Sequence, residues 1–231
     1  MQTENNQHTK VGMVLFPNLT QLDLTGPYEV FSRMPRTQIY LLAPSLAPIV
    51  SEKGLVLLPD TSFEACPSLD IIFVPGGPGI NALLTDPVYI NFLQNQAQKV
   101  KYITSVCTGS LVLAAAGLLE GYRATTHWLS LDLLAAFGIH TSEERVVIDR
   151  NRITGGGVTA GIDIALTIAS RLFDENVAKS IQLAIEYNPA PPFQCGHPAT
   201  ADPEIVKQVQ EKSAPLQEAR KKLVRKMLKK E

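Results

Sequence analysis

Cys107 lies at a junction where a strand and a helix are both predicted. The apolar run of residues 102–106 is typical of a buried strand, and Thr108, Gly109 and Ser110 lead into an apolar helix. In open α/β sheets, sites form at the carboxyl ends of strands. The start of a helix offers free N–H groups and a positive partial charge, which favour the nucleophilic thiolate over the thiol. We therefore predict that Cys107 is a nucleophile on a sharp strand-turn-helix, like the serine of the hydrolase nucleophile elbow.

The other two cysteines, Cys66 and Cys195, form no pattern with Cys107. An odd set of 3 cysteines without paired spacing argues against a disulfide framework and fits a reducing compartment. Cys66 fits a small buried side chain, whereas Cys195 lies in a polar, proline-rich loop. The polar N-terminus does not resemble a signal peptide, and no apolar run reaches the roughly 18 residues of a membrane span. We expect a cytoplasmic protein with no membrane partner.

Asp23 is the second candidate for chemistry. It lies between Leu22 and Leu24, shortly after the first predicted strand, where a carboxylate is poorly placed for water. One interpretation is a helix N-cap, which aspartate favours. The other is a carboxyl group beside the sulfur of Cys107, with a pKa raised by burial, that acts as general acid and base. The segment itself supports both interpretations equally.

Gly76 and Gly77 follow a predicted strand directly, in the run Pro75-Gly-Gly-Pro-Gly79. Such a turn can present backbone N–H groups to an anion or an oxyanion, so we predict that Gly76 and Gly77 bind substrate there. The alternative is an ordinary strand-to-helix turn, since a glycine-rich run is weak evidence on its own. The run lacks dinucleotide-binding spacing, and no cofactor is predicted.

Two further segments are expected to border the site. His127 and Trp128 suggest a Cys–His pair, although a histidine beside a tryptophan is more often a structural, hydrogen-bonded residue. Gly156 and Val158 belong to a glycine-rich run before a predicted helix, where the chain can adopt unusual dihedrals. No second histidine or cysteine has metal-ligand spacing, so no metal is predicted.

The predicted strands and helices alternate along the chain. This pattern implies βαβ units and an α/β fold with a mostly parallel central sheet flanked by helices. We expect a disordered lead-in over residues 1–10, a single α/β domain over residues 11–202, and a helical extension of that domain over residues 203–231.

Charge offers no sign of a nucleic-acid partner. The formal net charge of the chain is −1, whereas a nucleic-acid surface normally leaves a basic excess. Residues 220–230 contain 7 Lys or Arg, which we interpret as a solvated helix face rather than a nucleic-acid patch.

Four runs of residues together resemble the ThiJ/PfpI superfamily, of the class I glutamine amidotransferase-like fold. Their order and spacing cover the chain from about Val11 to Pro192. The runs are Gln21-Leu-Asp-Leu-Thr-Gly-Pro27, Val74-Pro-Gly-Gly77, Thr104-Ser-Val-Cys-Thr-Gly-Ser110 and Ala124-Thr-Thr-His-Trp128.

The resemblance implies a homodimer of flavodoxin-like sandwich subunits. It assigns Cys107 as the nucleophile and Asp23 as its carboxyl partner, and it places Thr108 beside the sulfur, where Thr108 positions the sulfur or the substrate. Peptidase-type members have a histidine directly after the cysteine. Thr108 stands there in this chain, which argues against peptidase chemistry and weakens a Cys–His pair with His127.

Within the superfamily, two more runs resemble the bacterial isocyanide hydratases: Thr154-Gly-Gly-Gly-Val-Thr-Ala-Gly161 and Glu186-Tyr-Asn-Pro-Ala-Pro-Pro-Phe193. This resemblance implies addition of water to an isocyanide through a cysteine thioimidate, giving an N-substituted formamide, without a cofactor. Two alternatives stay open. One is glyoxalase or deglycase-type chemistry on 2-oxoaldehydes, and the other is a non-catalytic cysteine redox sensor or regulatory module.

Overall fold

The computed structural model describes residues 8–229, and its core is one mixed sheet with two small satellites. The strands are β1 (Thr9–Val14), β2 (Thr37–Ala43), β3 (Ile49–Val50), β4 (Val56–Leu57), β5 (Thr61–Ser62), β6 (Ile71–Val74), β7 (Tyr102–Val106), β8 (Arg123–Ala124), β9 (His140–Thr141), β10 (Val146–Asp149) and β11 (Arg152–Gly155).

The central sheet has the strand order β10-β11-β7-β6-β1-β2-β5. Every neighbouring pair is parallel except β10 with β11, which form an antiparallel hairpin at one edge. All four residues of β6 are buried, as are the last four of β7, because strands in a parallel sheet are covered on both faces. The carboxyl ends of β1, β6, β7 and β11 therefore lie along the same end of the strands, and the predicted site residues follow them there.

Eight α-helices flank the sheet within the described residues. They are α1 (Gln21–Phe31), α2 (Ile80–Leu83), α3 (Pro87–Ala97), α4 (Gly109–Ala115), α5 (Leu131–Ala136), α6 (Ala160–Leu172), α7 (Glu175–Ala184) and α8 (Pro203–Leu228). α1 packs on α6 and α6 on α7, while α2, α3, α4, α5 and α8 form a second group. None of these helices combines the length and the apolarity that crossing a bilayer requires.

The α/β class and the mostly parallel sheet are confirmed, with differences at the boundaries. The first strand begins at Thr9, so Thr9 and Lys10 pair with β2 rather than belonging to the predicted lead-in; residues 1–7 of that lead-in lie outside the described residues. The short elements β5, β8, β9 and α2 were not predicted, because two to four residues carry too little periodicity to be detected.

Candidate active site

Cys107 lies between β7 and α4 in a strained backbone conformation. Its φ angle is +54°, a region that residues with a β-carbon seldom adopt. The surrounding chain holds this turn at both ends: the Cys107 N–H donates to the Gly155 carbonyl at 3.0 Å, and the Thr126 hydroxyl donates to the Cys107 carbonyl at 2.8 Å. The turn fixes the direction of the side chain, which is only 6% exposed.

Hydrogen bonds from buried hydroxyls brace the segment behind the sulfur. The Ser110 hydroxyl donates to the Thr125 carbonyl at 2.6 Å and pairs with the Ser105 hydroxyl at 3.0 Å. The Thr125 N–H donates to the Thr154 hydroxyl at 2.9 Å. These contacts tie β7, α4 and β11 to the segment that precedes His127, so the position of Cys107 is fixed by several elements.

Asp23 is fully buried in the first turn of α1. One carboxylate oxygen, Oδ2, accepts the Gly76 N–H at 2.7 Å across 53 residues of sequence. The other oxygen, Oδ1, is buried and has no hydrogen-bond partner among the described residues. The Cys107 thiol interacts with this carboxyl and lowers its pKa. Asp23 therefore faces the site instead of capping its own helix, and the N-cap interpretation is wrong.

Burial controls the ionisation of both partners. It raises the pKa of Asp23 from its ordinary 3.8 to about 7, although the Gly76 N–H and the Cys107 thiol both lower it. Burial and then the neighbouring Asp23 raise the pKa of the Cys107 thiol well above its usual range, against the opposing effects of the Thr108 N–H and of Arg220. Desolvation of the sulfur therefore opposes the effect of the helix start, whose N–H groups favour the thiolate.

The turn after β6 binds protein groups with both of its predicted donors. The Gly76 N–H donates to Asp23, and the Gly77 N–H donates to the Thr108 hydroxyl at 3.0 Å. Neither amide is free to bind an oxyanion in this state, contrary to the predicted role, and the turn instead orients Asp23 and Thr108. A β-carbon on Gly76 would lie 2.5 Å from the Thr108 nitrogen, so only glycine allows this close approach. The Thr108 N–H lowers the pKa of the Cys107 thiol.

Arg220, on the distant helix α8, also reaches the site. Its side chain is 2% exposed, and it donates to the Asn81 side-chain oxygen at 2.8 Å, the Ser130 hydroxyl at 3.2 Å and the Gly77 carbonyl at 3.4 Å. The prediction of a solvated helix face over residues 220–230 is therefore wrong for Arg220. A usable signal existed: Arg220 has helical spacing with the inner-face residues Leu216 and Val224.

His127 and Trp128 lie together with Gly156 and Val158 around one cavity. All four line a space of about 970 Å³ whose walls do not include Cys107. The His127 ring accepts the Leu129 N–H through Nδ1 at 3.4 Å, and burial followed by the charge of Arg220 lowers its pKa. No hydrogen bond joins His127 to Cys107 in residues 8–229, which agrees with the structural interpretation of His127. The same residues contain no cluster of three or more potential metal ligands.

The fold and the site together define an α/β protein with a buried cysteine–carboxyl pair at the carboxyl edge of a parallel sheet. Such a pair can transfer a proton between sulfur and oxygen while the sulfur attacks an electrophile. The sequence model of the DJ-1/PfpI family matches residues 9–171, and the chain belongs to this family.

Three relatives cover most of the chain. An isonitrile hydratase from Pseudomonas putida is 50% identical over 89% of this chain and 90% of its own. The crystal structure of a ThiJ/PfpI family protein from Pseudomonas syringae superposes with a TM-score of 0.92 at 42% identity, covering 94% of this chain and 91% of that one. The HTH-type transcriptional regulator GbdR from Pseudomonas aeruginosa is 31% identical over 77% of this chain, but this match spans only 50% of the regulator.

Proposed function

We propose that this protein is an isocyanide hydratase that converts R–N≡C and water into the N-substituted formamide R–NH–CHO. The observation that carries the proposal is the buried pair of the Cys107 thiol and the Asp23 carboxyl, whose pKa is about 7, so that a proton acceptor lies beside the nucleophile at neutral pH. The Pseudomonas putida isonitrile hydratase, 50% identical over 89% of the chain, supports the choice of electrophile.

The first half of the reaction adds the elements of S–H across the terminal carbon. Asp23, as the carboxylate, takes the proton of the Cys107 thiol while the sulfur attacks the isocyanide carbon. The protonated Asp23 then gives that proton to the same carbon. The product is the thioimidate R–N=CH–S–Cys107, and Asp23 is again a carboxylate. This step adds no charge to the buried site, because the proton taken from the sulfur ends on the carbon.

The second half releases the formamide. Asp23 takes a proton from water as the water oxygen attacks the thioimidate carbon, and the nitrogen receives that proton to give R–NH–CH(OH)–S–Cys107. The carbon–sulfur bond then breaks, the hydroxyl proton passes through Asp23 to the leaving sulfur, and R–NH–CHO departs. The Thr108 N–H, which lowers the pKa of the Cys107 thiol, stabilises the negative charge that develops on the sulfur in both halves.

The accessibility of the sulfur suits this substrate. An isocyanide carries its reactive carbon at the tip of a linear group, whereas a 2-oxoaldehyde presents a trigonal carbonyl flanked by a second one. Cys107 is 6% exposed and Thr108 5% exposed, so a slender head group reaches the sulfur with the least displacement of its surroundings.

A substrate comparison tests the proposal. Purified protein is mixed in parallel with an alkyl isocyanide, an aryl isocyanide and methylglyoxal, and products are followed by NMR. We expect formamide from both isocyanides, none from Cys107→Ala, and undiminished formation by Cys195→Ala, which removes an exposed thiol. Mass spectrometry of acid-quenched enzyme should find one isocyanide added to the peptide containing Cys107.

Three results would overturn the hydratase proposal. Turnover of methylglyoxal without formamide would favour the glyoxalase alternative. Full activity of Cys107→Ala would exclude the cysteine mechanism. Oxidation of Cys107 that alters binding to another protein, with no turnover of any of these substrates, would favour a redox sensor.

We also propose that the protein functions as a homodimer in the cytoplasm. Four exposed apolar side chains support the dimer. They are between 36% and 63% exposed, and they are Leu22 and Tyr28 of α1 together with Val56 and Leu58 at the β3–β4 hairpin. All 3 cysteines are free thiols, as a reducing compartment requires. Light scattering after size exclusion should give twice the mass of the chain, and a monomer at assay concentrations would contradict the dimer.

A further inference from the structure

Arg220 is a buried cation with no buried anion paired to it. Its three hydrogen-bond acceptors, Asn81, Ser130 and the Gly77 carbonyl, are all neutral. Among the ion pairs of the described residues, none includes Arg220. Burying a guanidinium without a counter-ion is costly, so an arrangement that only fastened α8 to the body would be better served by an uncharged side chain.

The charge of Arg220 acts on the reacting sulfur. Burial lowers the pKa of Arg220 to about 10, which leaves it protonated at neutral pH, and its charge in turn lowers the pKa of the Cys107 thiol. Other charged groups also bear on the site: Asp23 raises the pKa of Cys107, Glu52 raises that of Asp23, and Arg220 lowers that of His127. Arg220 is the positive group among them that opposes the raised pKa of the thiol.

We propose that Arg220 is a positioning residue of the active site, whose fixed positive charge stabilises negative charge on the Cys107 sulfur and whose Nη2 holds the carbonyl of Gly77. Through Gly77 it also orients the amide that binds the Thr108 hydroxyl. The proposal rests on Cys107 being the nucleophile of the proposed function, but it does not depend on which electrophile the sulfur attacks. Helix α8 lies outside residues 9–171, the part of the chain that the family model matches.

The test measures the thiol rather than turnover. The rate of Cys107 alkylation by iodoacetamide is followed from pH 6 to pH 10 by mass spectrometry of its peptide, which separates it from Cys66 and Cys195. We expect Arg220→Gln to raise the apparent pKa of Cys107 by about one unit, which slows alkylation about tenfold below that pKa. Arg220→Lys, which keeps the charge, should stay within about threefold of wild type. Arg225→Gln, the same change at an exposed position of α8, should leave the profile unaltered.

A second variant keeps the proposal testable if Arg220→Gln does not fold. Asn81→Asp preserves the acceptor that lies 2.8 Å from Nε but places a negative charge beside the guanidinium. We expect Asn81→Asp to raise the melting temperature, because it pairs a buried cation, and to slow Cys107 alkylation as Arg220→Gln does. A faster or unchanged rate in Asn81→Asp would overturn the proposal, as would equal shifts in Arg220→Gln and Arg220→Lys. Since no isocyanide is used, a failed hydratase assay and a failed Arg220 test are distinguishable.

Discussion

The site has an acidic side and a basic side, which hold the same turn in opposite ways. Asp23, on α1, accepts the N–H of Gly76, and Arg220, on α8, donates to the carbonyl of Gly77. Burial shifts the pKa of both side chains, but it changes the protonation behaviour at neutral pH of Asp23 alone. It raises the pKa of Asp23 to about 7, where the carboxyl gains and loses protons, whereas it lowers the pKa of Arg220 only to about 10, where the guanidinium keeps its charge. The acidic side therefore carries a movable proton and the basic side a fixed charge.

The largest expected effect is the loss of kcat/KM when Asp23 can no longer gain and lose a proton. Asp23→Asn keeps the shape and the acceptor for Gly76 but cannot take a proton from the thiol, so kcat/KM for an isocyanide should fall by about 10³-fold. In wild type, kcat/KM should rise with pH through about 7, because the carboxylate form of Asp23 is the active one. This rising part of the pH–rate profile, the acidic limb, reports the coupled ionisation of the Asp23–Cys107 pair. It is measured as a pH–rate profile from pH 5 to 9.

Glu52 provides a variant that sharpens this assignment. The negative charge of Glu52 raises the pKa of Asp23, so Glu52→Gln should move the limb to lower pH while keeping the activity of the plateau. For Asp23→Asn, the contradicting outcome is activity near that of wild type with the same rise of kcat/KM with pH. Such a result would show that another group carries the proton.

The second expected effect is on stability, which should fall with rising pH where the activity rises. The carboxyl of Asp23 ionises near pH 3.8 in the unfolded chain but near 7 in the folded one, so the folded state binds more protons between these values. The free energy of unfolding should therefore fall as pH rises from about 4 to about 7 and then level off. The rise of about three pKa units corresponds to ~4 kcal/mol.

Urea denaturation at several pH values measures this penalty. Asp23→Asn should be more stable than wild type at pH 8 by up to that amount, with the difference vanishing near pH 4. Asp132→Asn removes a carboxylate at an exposed position of α5 and controls for the loss of charge. Equal stability of Asp23→Asn and wild type across the range would mean that Asp23 ionises without a burial penalty.

The two sides also differ in how far the sequence predicts them. Asp23 was predicted because a carboxylate between Leu22 and Leu24, just after a strand, lacks an obvious route to water. Arg220 was missed because its neighbours Lys221 and Lys222 are also basic, and the helical spacing of Arg220 with apolar residues is a weaker signal than this run of charge. Charge content is local information, whereas burial depends on how α8 packs.

The same limit applies to the ionisation of the Cys107 thiol. The strand, the turn and the helix start were all predictable from residues 102–110, and the class and the sheet are confirmed. The pKa of Cys107, however, depends on the near-complete desolvation of the sulfur and on Asp23, which lies 84 positions earlier in the chain. The hydrogen bonds that engage the amides of Gly76 and Gly77 likewise join distant segments, so the sequence indicated a turn with free donors where both are occupied.

The smallest expected effect tests the turn that joins the two sides. In Gly76→Ala the new β-carbon would lie 2.5 Å from the Thr108 nitrogen, 2.7 Å from its hydroxyl oxygen and 2.9 Å from Oδ2 of Asp23. The backbone of Thr108 cannot yield cheaply, so the carboxyl must move away from the thiol, and kcat/KM should fall by about 10²-fold because catalysis is sensitive to displacements of about 1 Å. Gly157→Ala is the matched control, since its β-carbon would have no neighbour within 4 Å. Equal kcat/KM in Gly76→Ala and Gly157→Ala would show that Asp23 does not depend on the turn, and that the acidic and basic sides act separately.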